Sequence, residues 1–99
     1  MNATATETAT IVAKENIILL TFPKSDVLHS ELKQSERKRR VVRAMKLGNN
    51  KKFKVKIIFE DLEGLKKVET TVWGVTEKNI ILKQGTLIPI ERIHEIKFY

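Results

Sequence analysis

From Phe53 to Glu60 the chain alternates, with Phe53, Val55, Ile57 and Phe59 on one side and Lys54, Lys56, Ile58 and Glu60 on the other. A period of two is the signature of a strand with one buried face. Asp61-Leu62-Glu63-Gly64 supplies the turn that follows, and Gly64 is free to take positive φ. The alternation resumes with Val68, Thr70 and Val72 against Lys67, Glu69, Thr71 and Trp73, and Gly74 is where a residue without Cβ lets a strand bend. Lys78-Asn79 reads as a tight turn, Ile80 and Leu82 face inward, and Gln84-Gly85 opens another hairpin. Pro89 cannot donate to a ladder, so it belongs at an edge or bulge. Ile90, Ile93 and Ile96 are three apart, which predicts one helical turn before a last strand running to Tyr99. Four strands, a single turn of helix and a fifth strand make the pattern of a small β-barrel.

Residues 53 to 99 are too few to bury much of their own surface, so the N-terminal half or a neighbouring subunit must complete the core. Residues 1 to 8 are Ala/Thr-rich without a period and read as a mobile tail. Ala9 to Phe22 predicts a short β-hairpin around Asn16, ended by Pro23, and Val12 to Leu19 echoes Val75 to Leu82 in wording. Ser25 and Asp26 can open a helix whose apolar residues are Val27, Leu28 and Leu32. No apolar residue occurs from Lys33 to Arg40, and Val41, Val42 and Met45 then mark the opposite face. This predicts a break near Gln34-Ser35, with a helix stop at Gly48-Asn49-Asn50. The chain therefore divides into a tail and hairpin arm over 1–24, a basic helical segment over 25–50, and a small barrel over 51–99. Its class is α+β and mainly β.

The net charge of +7 is localised. Residues 25 to 52 hold nine bases against three acids, while the segments on either side are close to neutral. The chain has no cysteine, which excludes a disulfide framework, a thiolate metal site and cysteine catalysis. The start lacks a basic leader region, and the longest apolar run, Ile17 to Leu20, is far short of a membrane span. A cytoplasmic protein that does not insert into membranes is expected. No phosphate loop, nucleophile elbow or dinucleotide fingerprint occurs, and His29 and His94 have no metal-ligand spacing. Neither an enzyme nor a bound cofactor or metal is expected.

Eight bases and no acid lie between positions 37 and 52. At about 100° per residue, Arg39, Arg40, Arg43 and Lys46 gather on one side of a helix, and Lys51 and Lys52 extend the row. Such a row tracks phosphates by displacing condensed counterions. It equally suits a solvated helix face or an acidic protein partner, and a basic amphipathic helix also serves, less often, an anionic membrane surface. Trp73, on the outward-alternating side of its strand, is either a stacking platform for bases, joined by Tyr99, or packing beneath the N-terminal helix. Asn79 is either a ligand contact or the ordinary turn residue.

A helix, four strands, a helical turn and a fifth strand resemble the Sm-like fold, a five-stranded SH3-like barrel preceded by an N-terminal helix; the resemblance covers residues 35 to 99. Asn79 and Leu82 match its Asp-x-x-x-Asn turn, but Val75 stands where the Asp belongs. Ile88, Ile93 and Ile96 match the spacing of its second motif, with Pro89-Ile90 in place of Arg-Gly, and the Lys-His pair of the bacterial Hfq-type version is missing. The resemblance implies RNA or another single-stranded nucleic acid as partner, with Asn79 in contact with a base or sugar. It puts the family's base pocket in doubt. Lys56 to Asp61 and Val68 to Trp73 also look like short bacterial proteins of the Bacteroidetes type, which imply no activity. The alternative is a structural or adaptor protein that forms homo-oligomers through open strand edges and offers its basic helix to an acidic protein.

Overall fold

The computed structural model describes residues 8–99, save the side chain of Lys51. The expected tail therefore falls, apart from Thr8, outside the described residues. Among the described residues the architecture is α+β, with a long α-helix, α1 (Glu31–Lys51), and seven strands, β1 (Thr10–Ile11), β2 (Val55–Asp61), β3 (Gly64–Thr70), β4 (Val72–Val75), β5 (Asn79–Leu82), β6 (Leu87–Pro89) and β7 (Ile93–Lys97). They form two sheets, ordered β1-β3-β2-β7 and β4-β5-β6. Among the described residues the two sheets do not close into a barrel. The expected second strand is two strands in different sheets, parted at Thr71 and not at Gly74.

β2 is the centre of the larger sheet, antiparallel to both β3 and β7. Its Val55, Ile57 and Phe59 enter a core completed by Val68, Val72, Ile80, Leu82, Ile88, Ile93 and Ile96, and by Val41 and Ala44 of the helix. Phe53 precedes the strand and is exposed, whereas Ile58, expected to face outward, is fully buried. Each sheet carries one bulge. His94 is the extra residue of β7 between Ile58↔Glu95 and Phe59↔Ile93. Trp73 is the extra residue of β4 between Val72↔Leu82 and Gly74↔Ile81. A helical turn appears at Ile90–Arg92 as expected but ends there: Ile93, read as part of the helical spacing, already begins β7, which stops at Lys97 short of Tyr99. Pro89 lies in β6 at the sheet edge, as expected.

The expected N-terminal hairpin is replaced. Thr10 and Ile11 pair in parallel with Lys66 and Lys67 of β3, and Lys14–Leu19 forms a 3-10 helix. That helix drops Ile17 into the core and leaves Ile18 and Leu19 exposed, a three-residue period that a strand pair could not produce. Phe22 then meets Phe59 with ring centroids 6.0 Å apart.

The helix is a single piece, capped by Ser30, whose Oγ accepts from the Lys33 amide at 3.3 Å. No break occurs at Gln34-Ser35, because the buried stripe continues through a charged residue: Arg37, Val41, Ala44 and Gly48 are spaced four, three and four apart and all are buried. Gly48 lies inside the helix and does not stop it. A Cβ there would collide with the Val72 carbonyl oxygen and sit 3.0 Å from Thr71 Cγ2, so glycine sets how closely α1 approaches β4. Among the described residues no helix is long and apolar enough to cross a membrane.

The β2–β3 turn is built on Asp61, whose Oδ1 accepts from the Glu63 and Gly64 amides at 3.1 Å each and from Lys66 Nζ at 2.8 Å. Burial raises the affinity of this carboxyl for a proton, but Lys66 and the two amides outweigh it and hold the group below its ordinary 3.8.

Two outcomes follow from this packing. Gly48→Ala lowers the unfolding free energy by about 1–3 kcal/mol through overpacking, against the roughly 1 kcal/mol alanine gains in a helix interior; an unchanged urea midpoint would show that the helix has room to move. The unfolded chain protonates before folded Asp61 does, so this contribution is complete above about pH 5 and is lost as acid protonates the folded carboxyl. Urea midpoints taken from pH 7 down to pH 2 should fall with acid, and Asp61→Asn should start lower and fall less.

Candidate nucleic-acid interface

The helix presents its cations in two ways. Arg37 is 6% exposed. Its guanidinium donates to Asp26 Oδ1 at 2.9 Å and Oδ2 at 2.7 Å, and to the Ile93 carbonyl at 3.0 Å. Burial raises the Asp26 carboxyl's proton affinity, yet the Arg37 hydrogen bond and the Leu28 amide prevail and hold it below the usual range. Asp26 therefore anchors Arg37 and does not open a helix at Ser25.

Arg40 donates to the Ile96 carbonyl at 3.0 Å, and its guanidinium carbon lies 5.8 Å from the Phe98 ring centroid. Arg43 stacks closer on the same ring, at 4.3 Å. Two outward guanidinium groups are thus held in place by one aromatic ring and an edge-strand carbonyl. With Arg39 and Glu36 they line a hollow of about 320 Å³. Lys46 is exposed one turn further along the helix but does not line that hollow.

Arg43 also lines a second hollow of about 600 Å³, shared with Lys52, Phe53, Lys54, Phe98 and Tyr99. Hydrogen bonding to Glu69, with some burial, pushes the Tyr99 hydroxyl up to about 12. A third hollow of about 490 Å³ is lined by Trp73 with Asn49, Lys52, Lys54 and Lys83. Lys52 and Lys54 thus line both larger hollows, and the three form one connected surface on which Glu36 and Glu69 are the lining carboxylates.

Lys52 closes the helix with φ 57° and ψ 31°, its amide donating to the Gly48 carbonyl at 3.1 Å. This left-handed conformation costs an L-residue roughly 1–2 kcal/mol and is the position where helices favour glycine. Trp73 is 49% exposed. It is the extra residue of the bulge in β4, without a register partner on β5, and it lines its hollow together with Gly48 and Asn49 of the helix.

The structure therefore brings together Arg39, Arg40, Arg43, Lys52 and Trp73 of the expected site. It leaves out Asn79, which begins β5 beyond the Thr76–Asn79 turn and lines none of the three hollows. The Lys51 side chain lies outside what is described. Sequence reasoning missed Lys54, Lys83 and Phe53 as lining residues and named Tyr99 only as a companion of Trp73, whereas the two line different hollows. These meetings depend on how α1 and the β5–β6 turn close on β4, where the Lys83 amide donates to the Thr71 carbonyl at 3.0 Å.

Two further clusters are structural. Arg92, 5% exposed, donates through Nε to the Glu60 carbonyl at 3.0 Å and through one terminal nitrogen to the Ser25 carbonyl at 2.8 Å and Oγ at 3.1 Å. His94 Nε2 lies 2.8 Å from Glu60 Oε1. Among the described residues no group of three His, Asp or Glu side chains is placed to hold a metal ion.

Compared with protein-family models, curated proteins and solved structures, the chain matches none.

The division between buried and outward arginines gives a direct expectation. Arg37→Ala leaves the Asp26 carboxylate without its cation and costs about 3–5 kcal/mol, whereas Arg39→Ala changes stability by less than about 0.5 kcal/mol. Chemical denaturation of both variants checks this; equal losses would show that the helix cations do not differ in role.

Proposed function

We propose that this protein binds nucleic acid with low sequence specificity, RNA in preference to DNA, on an SH3-like or Sm-like small barrel. The observation that carries the reading is the connected basic surface. Its three hollows are joined through Arg43, Lys52 and Lys54, and Trp73 stands half exposed at one end. Lysines and arginines in a continuous row neutralise successive phosphates, and phosphate contacts position a strand without reading its sequence. The barrel assignment is supported by strand order: β2 to β6 run as an antiparallel meander interrupted at Thr71, and β7 returns to pair with β2. The resemblance to Sm-like proteins favours RNA, although Asn79 lies away from the basic surface.

A second reading, a self-associating adaptor for an acidic protein in the same cytoplasmic setting, is favoured by one observation. Among the described residues β6 pairs with β5 alone, and it presents Leu87, 48% exposed, to solvent. The edge of β7 does not support it equally, because Arg37 and Arg40 occupy the Ile93 and Ile96 carbonyls.

Anisotropy of a labelled single-stranded RNA across a salt series tests the first reading. With about four phosphates engaged, log affinity should fall against log salt with a slope of roughly −3 for a single strand. Changing Arg39, Arg40 and Arg43 together to Glu should abolish binding. If the wild type binds neither RNA nor DNA at low salt, the reading fails; a mass above that of one chain in sedimentation would then favour the adaptor.

A further inference from the structure

The two larger hollows differ in what they offer. One has Trp73 and three lysines with no carboxylate in its lining; the other has Phe53 and Tyr99 exposed beside Arg43. Between them stand Lys52 and Lys54, which line both. The order across this surface is aromatic, cation, aromatic. A nucleic-acid strand has the complementary order, planar base, anionic phosphate, planar base. A duplex hides the faces of its bases against one another, so only an unpaired strand can lay a base on an exposed indole. An acidic peptide matches the cations but carries nothing for the rings.

Two local features set this arrangement. The bulge leaves Trp73 without a register partner on β5, and its ring stands half exposed. Lys52 occupies a left-handed helix terminus, where its side chain projects from a position that backbone energetics reserve for glycine.

Resting on the nucleic-acid reading above, we propose that the two hollows form one single-strand site, in which Lys52 and Lys54 hold the phosphate between two unstacked bases. One base lies on Trp73 and the next on the Phe53 and Tyr99 side. The site selects unpaired strands over duplexes; the arginines of α1 contribute charge without that selection.

Trp73 is the chain's one tryptophan, so its fluorescence reports stacking directly. The experiment titrates the full chain at low salt with an eight-nucleotide oligo(U), with an RNA duplex of matched phosphate number, and with an oligoglutamate peptide of matched charge. Label anisotropy or competition reads binding, and indole emission reads stacking. Oligo(U) should quench Trp73, and the duplex should bind at least tenfold more weakly without quenching. Trp73→Ala should lose about tenfold in oligo(U) affinity, within the range known for one stacked base, and Tyr99→Ala should also weaken binding. Lys52→Gly should keep or raise the urea midpoint while losing affinity and reducing the salt slope by about 0.7; the retained midpoint separates loss of a contact from loss of fold.

Binding of oligo(U) without quenching, equal affinity for the duplex, or unchanged affinity in Trp73→Ala would overturn the two-platform site and leave the general nucleic-acid reading standing. Equal quenching and competition by oligoglutamate would show that the surface reads charge alone, and the inference would fall. If neither strand nor duplex binds, both readings fall together.

Discussion

A guanidinium buried beneath the helix fixes the geometry of this molecule. Arg37 joins three segments far apart in sequence: the loop at Asp26, the middle of α1 and the carbonyl of Ile93 in β7. A buried charge is tolerable only when its partners satisfy it. The bidentate carboxylate and the carbonyl do this for the two terminal nitrogens, while Nε has no protein partner. With Arg37 held, Val41, Ala44 and Gly48 follow on the same side of the helix, and the contact of Gly48 with Val72 sets the approach to β4. The outward side of α1 is then determined as well.

The same bonds manage the sheet edge. Among the described residues β7 has β2 as its one strand neighbour, and its carbonyls at Ile93 and Ile96 accept from Arg37 and Arg40. An edge occupied in this way is poorly placed to pair with another chain. A basic helix along an edge strand therefore has two roles, protection of the sheet and presentation of charge. Arg40 and Arg43 combine them on Phe98, whose ring holds both guanidinium groups facing outward. Of the basic run between positions 37 and 52, one member is spent inside the fold, and lysines from elsewhere, Lys54 and Lys83, join the surface.

Much of the fold was legible in the residue pattern. The alternation through β2, the turn at Asp61 to Gly64, the hairpin at Gln84-Gly85, the helical turn at Ile90–Arg92 and the edge position of Pro89 all rest on local rules of period and backbone freedom. The departures are equally specific. The gap in apolar residues from Lys33 to Arg40 reads as a break because nothing local marks Arg37 as buried; its partners lie 11 and 56 positions away. Ile17, Ile18 and Leu19 read as a strand because β-branched runs favour one, and the choice of a 3-10 helix reflects which single residue the core had room to take.

By itself the sequence determined that the C-terminal half is a meander of short strands, that one basic helix precedes it, and that no thiol chemistry is available, since these follow from spacing and composition. Tertiary structure alone decided which cations face solvent and which aromatic rings stand beside them. Trp73 is the extra residue of a register shift against β5 and stands half exposed. The meeting of Lys52, Lys54 and Lys83 around it depends on contacts between residues more than twenty positions apart, made only when the helix settles on β4 through Gly48. A periodicity carries the first kind of information because it is a property of the chain; the second is a property of how its faces meet.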